Sequence, residues 1–285
     1  MCVKIITDST ADLPHNDLSR IITVPLTIRF GQEEYVDGIS ISKRQFYEKL
    51  VETDVLPATS QASPETFAQI FRKVHAAGDT AVVITLSSKL SGTYQSACIA
   101  AADFPGEIFV VDSKTVTIGS GILVRMALDL VQAGWDAPAI SQELTRQREN
   151  IRLVAMLDTL EYLKKGGRIS KSVAFAGELL SIKPVVCIDD GAVALLGKAR
   201  GSRQGNNLLA RQIEKSGGID FSKPLLLGYT GLSDVLLQKY ISDSAALWQD
   251  HVQSLSSVCI GSVVGTHVGP GAVAIAFFCQ AGQEG

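Results

Sequence analysis

Two short hydroxyl-rich stretches carry the residues of this chain best suited to chemistry: Thr59-Ser60-Gln61-Ala62-Ser63-Pro64 and Ser87-Ser88-Lys89-Leu90-Ser91-Gly92-Thr93-Tyr94-Gln95-Ser96. Each falls where an apolar run gives way to a helical pattern, a position at which free backbone N–H groups collect and bind anions. Thr59, Ser60, Ser91 and Thr93 offer neutral hydroxyl donors, and Gly92 lets a ligand approach the backbone. No general base lies in sequence reach, and Lys89 is the only adjacent cation. Such a set holds a small negative group rather than attacking an electrophile.

Two further segments could complete the site. Lys164-Lys165-Gly166-Gly167-Arg168-Ile169-Ser170 sets two glycines before an arginine and a helix start. Arg168 can therefore swing toward a bound anion, or simply follow a helix C-cap into solvent. In Gly265-Thr266-His267-Val268-Gly269-Pro270-Gly271, three glycines and a proline surround one histidine. That pattern reads as a loop displaying the His267 imidazole rather than packing it, and makes His267 the strongest single candidate for function. His15, His75 and His251 sit in polar or helix-end contexts and read as surface residues.

Thr7-Asp8-Ser9-Thr10-Ala11-Asp12-Leu13-Pro14 and Asp112-Ser113 both follow strand-like runs, at the carboxyl ends where open α/β sheets place ligands. Asp8 and Ser9 serve equally well as caps of a short helix after Pro14. Asp12 reads as another cap, and Asp112-Ser113 as either a turn or a pocket wall.

These residues need elements to position them. Val3–Thr7, Ile21–Phe30, residues 81–86 and 108–111 are β-branched runs that alternate with helices after Ser42, after Ser63-Pro64, from Ser91-Gly92, and over 117–133 and 137–149. The alternation predicts a Rossmann-like, mostly parallel, doubly wound domain over 1–150. Residues 151–285 are patterned differently. A strand over 152–157, an amphipathic segment over 159–165 and a helix over 170–180 lead into a hairpin of 184–188 and 192–196 turned by Asp190-Gly191. A helix from Ser202 and strands at 225–227 and 273–278 follow, giving a second α/β domain with antiparallel strands.

Composition narrows the function classes. The 285 residues are 46% hydrophobic and only 19% charged, which implies a large buried area or an internal apolar cavity. A net charge of −3 with scattered Lys and Arg leaves no footprint for nucleic acid. No apolar run spans a bilayer and no signal-peptide pattern opens the chain, so a cytoplasmic protein without stable membrane insertion is expected. Cys2, Cys98, Cys187, Cys259 and Cys279 lie far apart in apolar surroundings and read as buried thiols. Phosphate-loop, dinucleotide, nucleophile-elbow and zinc-protease motifs are absent, and no metal-ligand spacing occurs. A self-sufficient kinase, a nicotinamide enzyme, a lipase-type hydrolase and a zinc enzyme each lose their main support.

Taken in order, the Thr7–Pro14 segment, Thr59-Ser60-Gln61, Ser87–Tyr94, Val111-Asp112-Ser113, Leu163–Ile169 and Gly265–Gly271 resemble the DegV family over nearly the whole chain. Ala62 departs from that family's pattern, in which a proline commonly follows Thr-Ser-Gln. The resemblance implies a two-domain α/β protein that binds one long-chain fatty acid between its domains, needs no cofactor, and is the acyl-carrying subunit of bacterial fatty acid kinase. A separate kinase subunit then phosphorylates the bound carboxylate. By position, Thr59 and Ser91, with Ser60 and the backbone near Gly92, match the residues that hold the carboxylate. Arg168 and His267 match those that serve the acyl phosphate or the partner. On that reading the chain itself is not an enzyme. Two alternatives stand beside it: a self-sufficient acyl-ester or acyl-phosphate hydrolase using Ser91 with His267 as base, and a regulatory module filled by lipid.

Overall fold

The computed structural model describes residues 2–169 and 182–280; the helix expected over 170–180 lies outside them. The first half runs β1 (Val3–Asp8), α1 (His15–Leu18), β2 (Ile22–Val24), β3 (Thr27–Phe30), β4 (Glu33–Val36), α2 (Lys43–Glu52), β5 (Ala58–Ser60), α3 (Pro64–Ala76), β6 (Thr80–Thr85), α4 (Thr93–Ala101), β7 (Ile108–Asp112), α5 (Ile118–Gln132) and α6 (Ala137–Gln147). The second runs β8 (Ile151–Met156), α7 (Glu161–Lys165), β9 (Ile182–Asp189), β10 (Ala192–Arg200), α8 (Gly201–Lys215), β11 (Leu226–Tyr229), α9 (Val235–Asp243), β12 (Ser257–Cys259), α10 (Ser262–Val268) and β13 (Val273–Phe278).

Four strands form a parallel sheet in the order β2-β1-β6-β7. Its strands are apolar on both faces because helices cover both. Ile5, Val82, Ile84 and Val111 pack toward α5 and α6, while Ile6, Ala81 and Val83 share a core with Phe67 and Phe71 of α3. Ser42 closes a capping box with Gln45 at the start of α2, and Ser63 caps α3 ahead of Pro64.

The apolar run from Ile21 to Phe30 is not one strand. It breaks at Pro25, whose missing N–H and fixed φ interrupt a ladder, and the two pieces enter different sheets. β2 joins the parallel sheet, whereas β3 is the centre of a small antiparallel sheet, β4-β3-β5. The second half builds a six-stranded mixed sheet, β10-β9-β8-β13-β11-β12, in which only β11 and β12 run parallel. The expected hairpin is present, extended to Arg200 with a bulge between Leu195 and Gly197.

Helix α5 joins the two large sheets. Ile118, Ile122, Leu123, Val124 and Ala127 are wholly buried, in one cluster with Ile5, Val82 and Ile84 of the first sheet and Leu153, Leu226, Ala276 and Phe278 of the second. Asp12 anchors its start. The buried carboxylate accepts hydrogen bonds from the Thr117 hydroxyl (2.7 Å), the Gly261 N–H (2.8 Å) and Lys43 Nζ (2.7 Å), so it ties together the first strand's loop, α2, α5 and α10. Thr117 is held at φ +51°, a region that costs a non-glycine residue about 1 to 3 kcal/mol and persists only where its surroundings impose it.

Several expectations about polar residues are corrected by these contacts. Asp12 is a cross-chain anchor rather than a cap. Asp8 accepts from the Thr10 N–H and hydroxyl and from the Leu86 N–H, and Ser9 Oγ accepts from the Leu26 N–H, so neither caps α1. Asp112 accepts from the Ser88 and Lys114 N–H groups, which makes it a turn former. All five cysteines are free, but Cys2 is exposed and only Cys279 is fully buried. No described helix is long and apolar enough to cross a membrane.

Gly121, on the α5 face toward Asp12, gives a direct test of this packing. A methyl there would fall far inside contact of the Asp12 carbonyl oxygen and within 3.3 Å of Leu226 Cδ1. Gly121→Ala is expected to lower unfolding stability by about 1 to 3 kcal/mol in chemical denaturation, since backbone cannot rotate out of the way. An unchanged midpoint would mean that α5 is not wedged as described.

Candidate functional site

Thr59 sits on β5, in register with Ile28 of β3. A three-residue edge strand, not a helix start, presents it. Ser91 and Gly92 do precede a helix: Gly92 is the N-cap of α4, and the Thr93 N–H donates to Ser91 Oγ at 3.3 Å, with the two hydroxyls 2.9 Å apart. Gln61 joins the two stretches. Its Nε2 donates to Ser96 Oγ (3.0 Å), and its Oε1 lies so close to Gly92 that any side chain there would collide with it.

His267 is not displayed on a loop. Gly265 to Val268 belong to α10, and the imidazole in the last turn is largely enclosed. Its Nε2 lies 2.9 Å from Thr59 Oγ1, across 208 residues of sequence. Its Nδ1 has no hydrogen-bond partner among the described residues and faces Gly166, where a Cβ would overlap it. The glycine pair before Arg168 thus does two jobs: Gly166 admits the imidazole, and Gly167 (φ +69°) turns the chain. Arg168 is half-buried and braced by backbone of both halves, donating from Nη1 to Gly166 O (2.6 Å) and from Nε to Leu90 O (3.3 Å). Lys89, the cation next to Ser91 in sequence, turns away to Asp190 (2.5 Å).

All six singled-out residues, Thr59, Ser60, Ser91, Gly92, Arg168 and His267, line one cavity of about 380 Å³. Gln61 and Thr10 join them; both stood in the motifs read from sequence, but nothing there marked their side chains as facing a ligand. The rest of the wall is Leu and Val from both halves, including Leu26, Leu86, Val193 and Val264. A second, apolar chamber of about 60 Å³ continues from it past Val116, Leu163, Val193, Val264 and Val268. The space is therefore polar at one end and apolar at the other. His15, His75 and His251 are exposed, as expected. No group of three or more His, Cys, Asp or Glu side chains among the described residues is placed to hold a metal ion.

Burial, with the nearby Arg168 guanidinium, pushes the His267 imidazole down to about 4. The ring is neutral at pH 7. In the tautomer that carries its proton on Nε2, the imidazole donates to Thr59 Oγ1 and the Thr59 hydroxyl proton is free to point into the cavity. Burial likewise pushes the Asp8 carboxyl above the usual carboxylate range, against the opposing effect of hydrogen bonds from Thr10 and Leu86.

The two large sheets joined by α5, the small third sheet and this cavity define an α/β protein with a pocket lined partly by hydroxyls and partly by Leu and Val. The family model described as an uncharacterised protein of the DegV family matches residues 2–280, and the chain belongs to the DegV family. A DegV domain-containing protein of Deinococcus radiodurans is 36% identical over 97% of this chain and 98% of its own length. Among solved structures, a fatty-acid-binding DegV family protein from Thermus thermophilus superposes with a TM-score of 0.86 at 30% identity, covering 98% of this chain and all of the other. A stearic-acid-binding protein from Eubacterium ventriosum gives 0.87 at 28% identity over 98% of both chains.

The enclosed His267 imidazole makes stability depend on pH. Above pH 6.5 the imidazole is neutral in both folded and unfolded chains; as pH falls toward 4 the unfolded chain gains a proton the folded one refuses, so stability is lost across that window. Between pH 6.5 and 4 the wild-type protein should lose about 2 to 3 kcal/mol more unfolding stability than His267→Gln. Equal acid sensitivity in the two proteins would contradict the enclosed, neutral imidazole.

Proposed function

We propose that this protein binds a long-chain fatty acid with its carboxylate at the Thr59–Ser91 end of the cavity, and presents that carboxylate to a separate kinase subunit. The single observation that carries the reading is the gathering of Thr59, Ser60, Gln61, Ser91, Gly92, Arg168 and His267 in a cavity whose other lining, Thr10 apart, is Leu and Val and continues into an apolar chamber. The relatives described as fatty-acid-binding, at 28 to 30% identity over nearly the whole chain, support the same ligand class.

The energetics divide the work between the two ends. Burying a chain of about 16 carbons at about 0.8 kcal/mol per methylene contributes on the order of 10 kcal/mol before entropy costs. Each hydrogen bond to the carboxylate contributes about 1.5 to 3 kcal/mol. The tail sets affinity and the head sets orientation. Kinase-dependent transfer would have a carboxylate oxygen attack the terminal phosphorus of a nucleoside triphosphate held by the partner. The bond to the diphosphate breaks, and an acyl phosphate remains with more negative charge than the carboxylate had. Arg168 is the cation beside that position, and neutral His267 keeps Thr59 oriented as a donor.

The hydrolase alternative requires Ser91 to meet His267 as its base. In this structure Ser91 Oγ meets Thr93 Oγ1, and His267 Nε2 meets Thr59. No contact favours that alternative.

The expected outcomes separate binding from transfer. Thr59→Ala and Ser91→Ala should each weaken fatty acid binding by about 1 to 3 kcal/mol in a displacement assay with the fold retained. Arg168→Ala should leave uptake nearly intact but sharply reduce acyl phosphate formation with a cognate kinase subunit, whereas His267→Ala, which releases Thr59, should weaken uptake by less than Thr59→Ala does and reduce acyl phosphate formation as well. Unchanged affinity in both hydroxyl variants, or ester cleavage by the isolated chain that vanishes in His267→Ala, would overturn the assignment.

A further inference from the structure

The six-stranded sheet carries a split. β9 is held to β8 by three residue pairs, Val154↔Cys187, Ala155↔Val186 and Met156↔Val185, and by the Leu157 N–H donating to Pro184 O (2.9 Å). Yet β8 stays paired with β13 back to Ile151, and β9 with β10 out to Asp189. From Leu153 and Ile188 onward the two neighbours therefore part, and a cleft of about 610 Å³ opens between them.

The cleft abuts the cavity system. Leu153, Cys187 and Ile188 line both the apolar chamber and the cleft. Elsewhere along the sheet a backbone ladder separates one face from the other; here side chains alone do so, and side chains yield by changing rotamer. The cleft lining mixes apolar side chains, among them Val154, Leu195 and Leu196, with charged ones. Charges on the rim are already matched: Lys114 pairs with Glu149 (2.9 Å) and Asp190 (3.4 Å), and Arg148 with Glu149 (3.2 Å). Arg152, also on the rim, donates to the Glu149 and Ile151 carbonyls (2.8 and 2.9 Å), and with Asp189 beside it three cations face three carboxylates, so no net positive charge recruits a second anion. The hairpin tip that borders the cleft is fixed to the first half by Ser87 Oγ donating to Gly191 O (2.7 Å) and by Lys89 on Asp190.

We propose that the passage between Leu153 and Ile188 sets how long an acyl chain this protein accepts, because a chain that outgrows the apolar chamber continues between these side chains into the cleft where β8 and β9 part. The inference rests on the fatty-acid reading above. It makes the protein tolerant of long chains, with Leu153 and Ile188 as the specificity-determining residues.

The test is an affinity series of saturated fatty acids of increasing length, measured on wild type, Ile188→Ala and Ile188→Trp. Affinity for wild type and Ile188→Ala should rise without a break as the chain lengthens. Ile188→Trp should match wild type for short chains and then fall behind by about four-fold for each methylene excluded from apolar burial. A plot for Ile188→Trp that parallels wild type at every length, whether superimposed or uniformly lowered, overturns the proposal. The wild-type protein supplies an independent reading that needs no variant. A long-chain fatty acid carrying a diazirine at its terminal carbon should label Arg152, Val154 or residues 194–196, which line the cleft and not the chamber, and labelling confined to other residues overturns it as well. Wild type that binds no fatty acid of any length would overturn the parent reading too, whereas wild-type binding with no length break in Ile188→Trp defeats this inference alone.

Discussion

One helix wedged between two sheets is the constraint on which the rest of this structure depends. α5 buries apolar side chains against the parallel sheet on one side and the mixed sheet on the other, so the sheets are held about a helix's width apart. Beyond the start of that helix no element of comparable bulk among the described residues fills the gap. Val116 and Thr117, immediately before α5, are accordingly part of the wall of the apolar chamber. Asp12 fixes where the helix begins by engaging Thr117, Gly261 and Lys43 at once. The same carboxylate anchors the N-terminal end of α10, whose other end carries His267. Cavity and head group are thus set by one buried anchor.

The head of the cavity illustrates how an anion can be accommodated with few charges. Its donors are hydroxyls and backbone at a helix start, with Arg168 as the cation among the lining residues. Neutral donors cost less to bury than ammonium groups, and they leave the apolar walls intact up to the point where the polar end begins. The low charged fraction of the chain fits that economy. Asp37 marks the limit of tolerance nearby: burial pushes its carboxyl up to about 6, although the Ser9 and Ser262 hydroxyls face it.

Much of the fold was legible because its signals are local. The capping box at Ser42, the Ser63-Pro64 start and the Asp190-Gly191 turn each declare a boundary within four residues. The small sheet was not legible, since strands of three or four residues are too short to show a period, and Thr59 was therefore placed at a helix start rather than on β5. His267 lines the cavity, but from a helix rather than from the loop expected for it. Gly265 looked like a loop former, but it lies within a helix and serves close packing, where a Cβ would strike Tyr47 and Phe46. Only Gly269 and Gly271 of that segment take positive φ. The contact between His267 and Thr59, 208 residues apart, is a product of tertiary structure that no local pattern encodes. The split between β8 and β9 is equally invisible in sequence, because both strands read as ordinary apolar runs.

The most direct test of the central claim is mass spectrometry of whatever small molecule accompanies the protein when it is purified from cells without added lipid and examined first intact, then after solvent extraction. A cavity with a hydroxyl-lined head and an apolar tail predicts one long-chain fatty acid per chain, released as the free acid. Repeated recovery of a nucleotide, a sugar phosphate or no organic ligand at all would contradict the account.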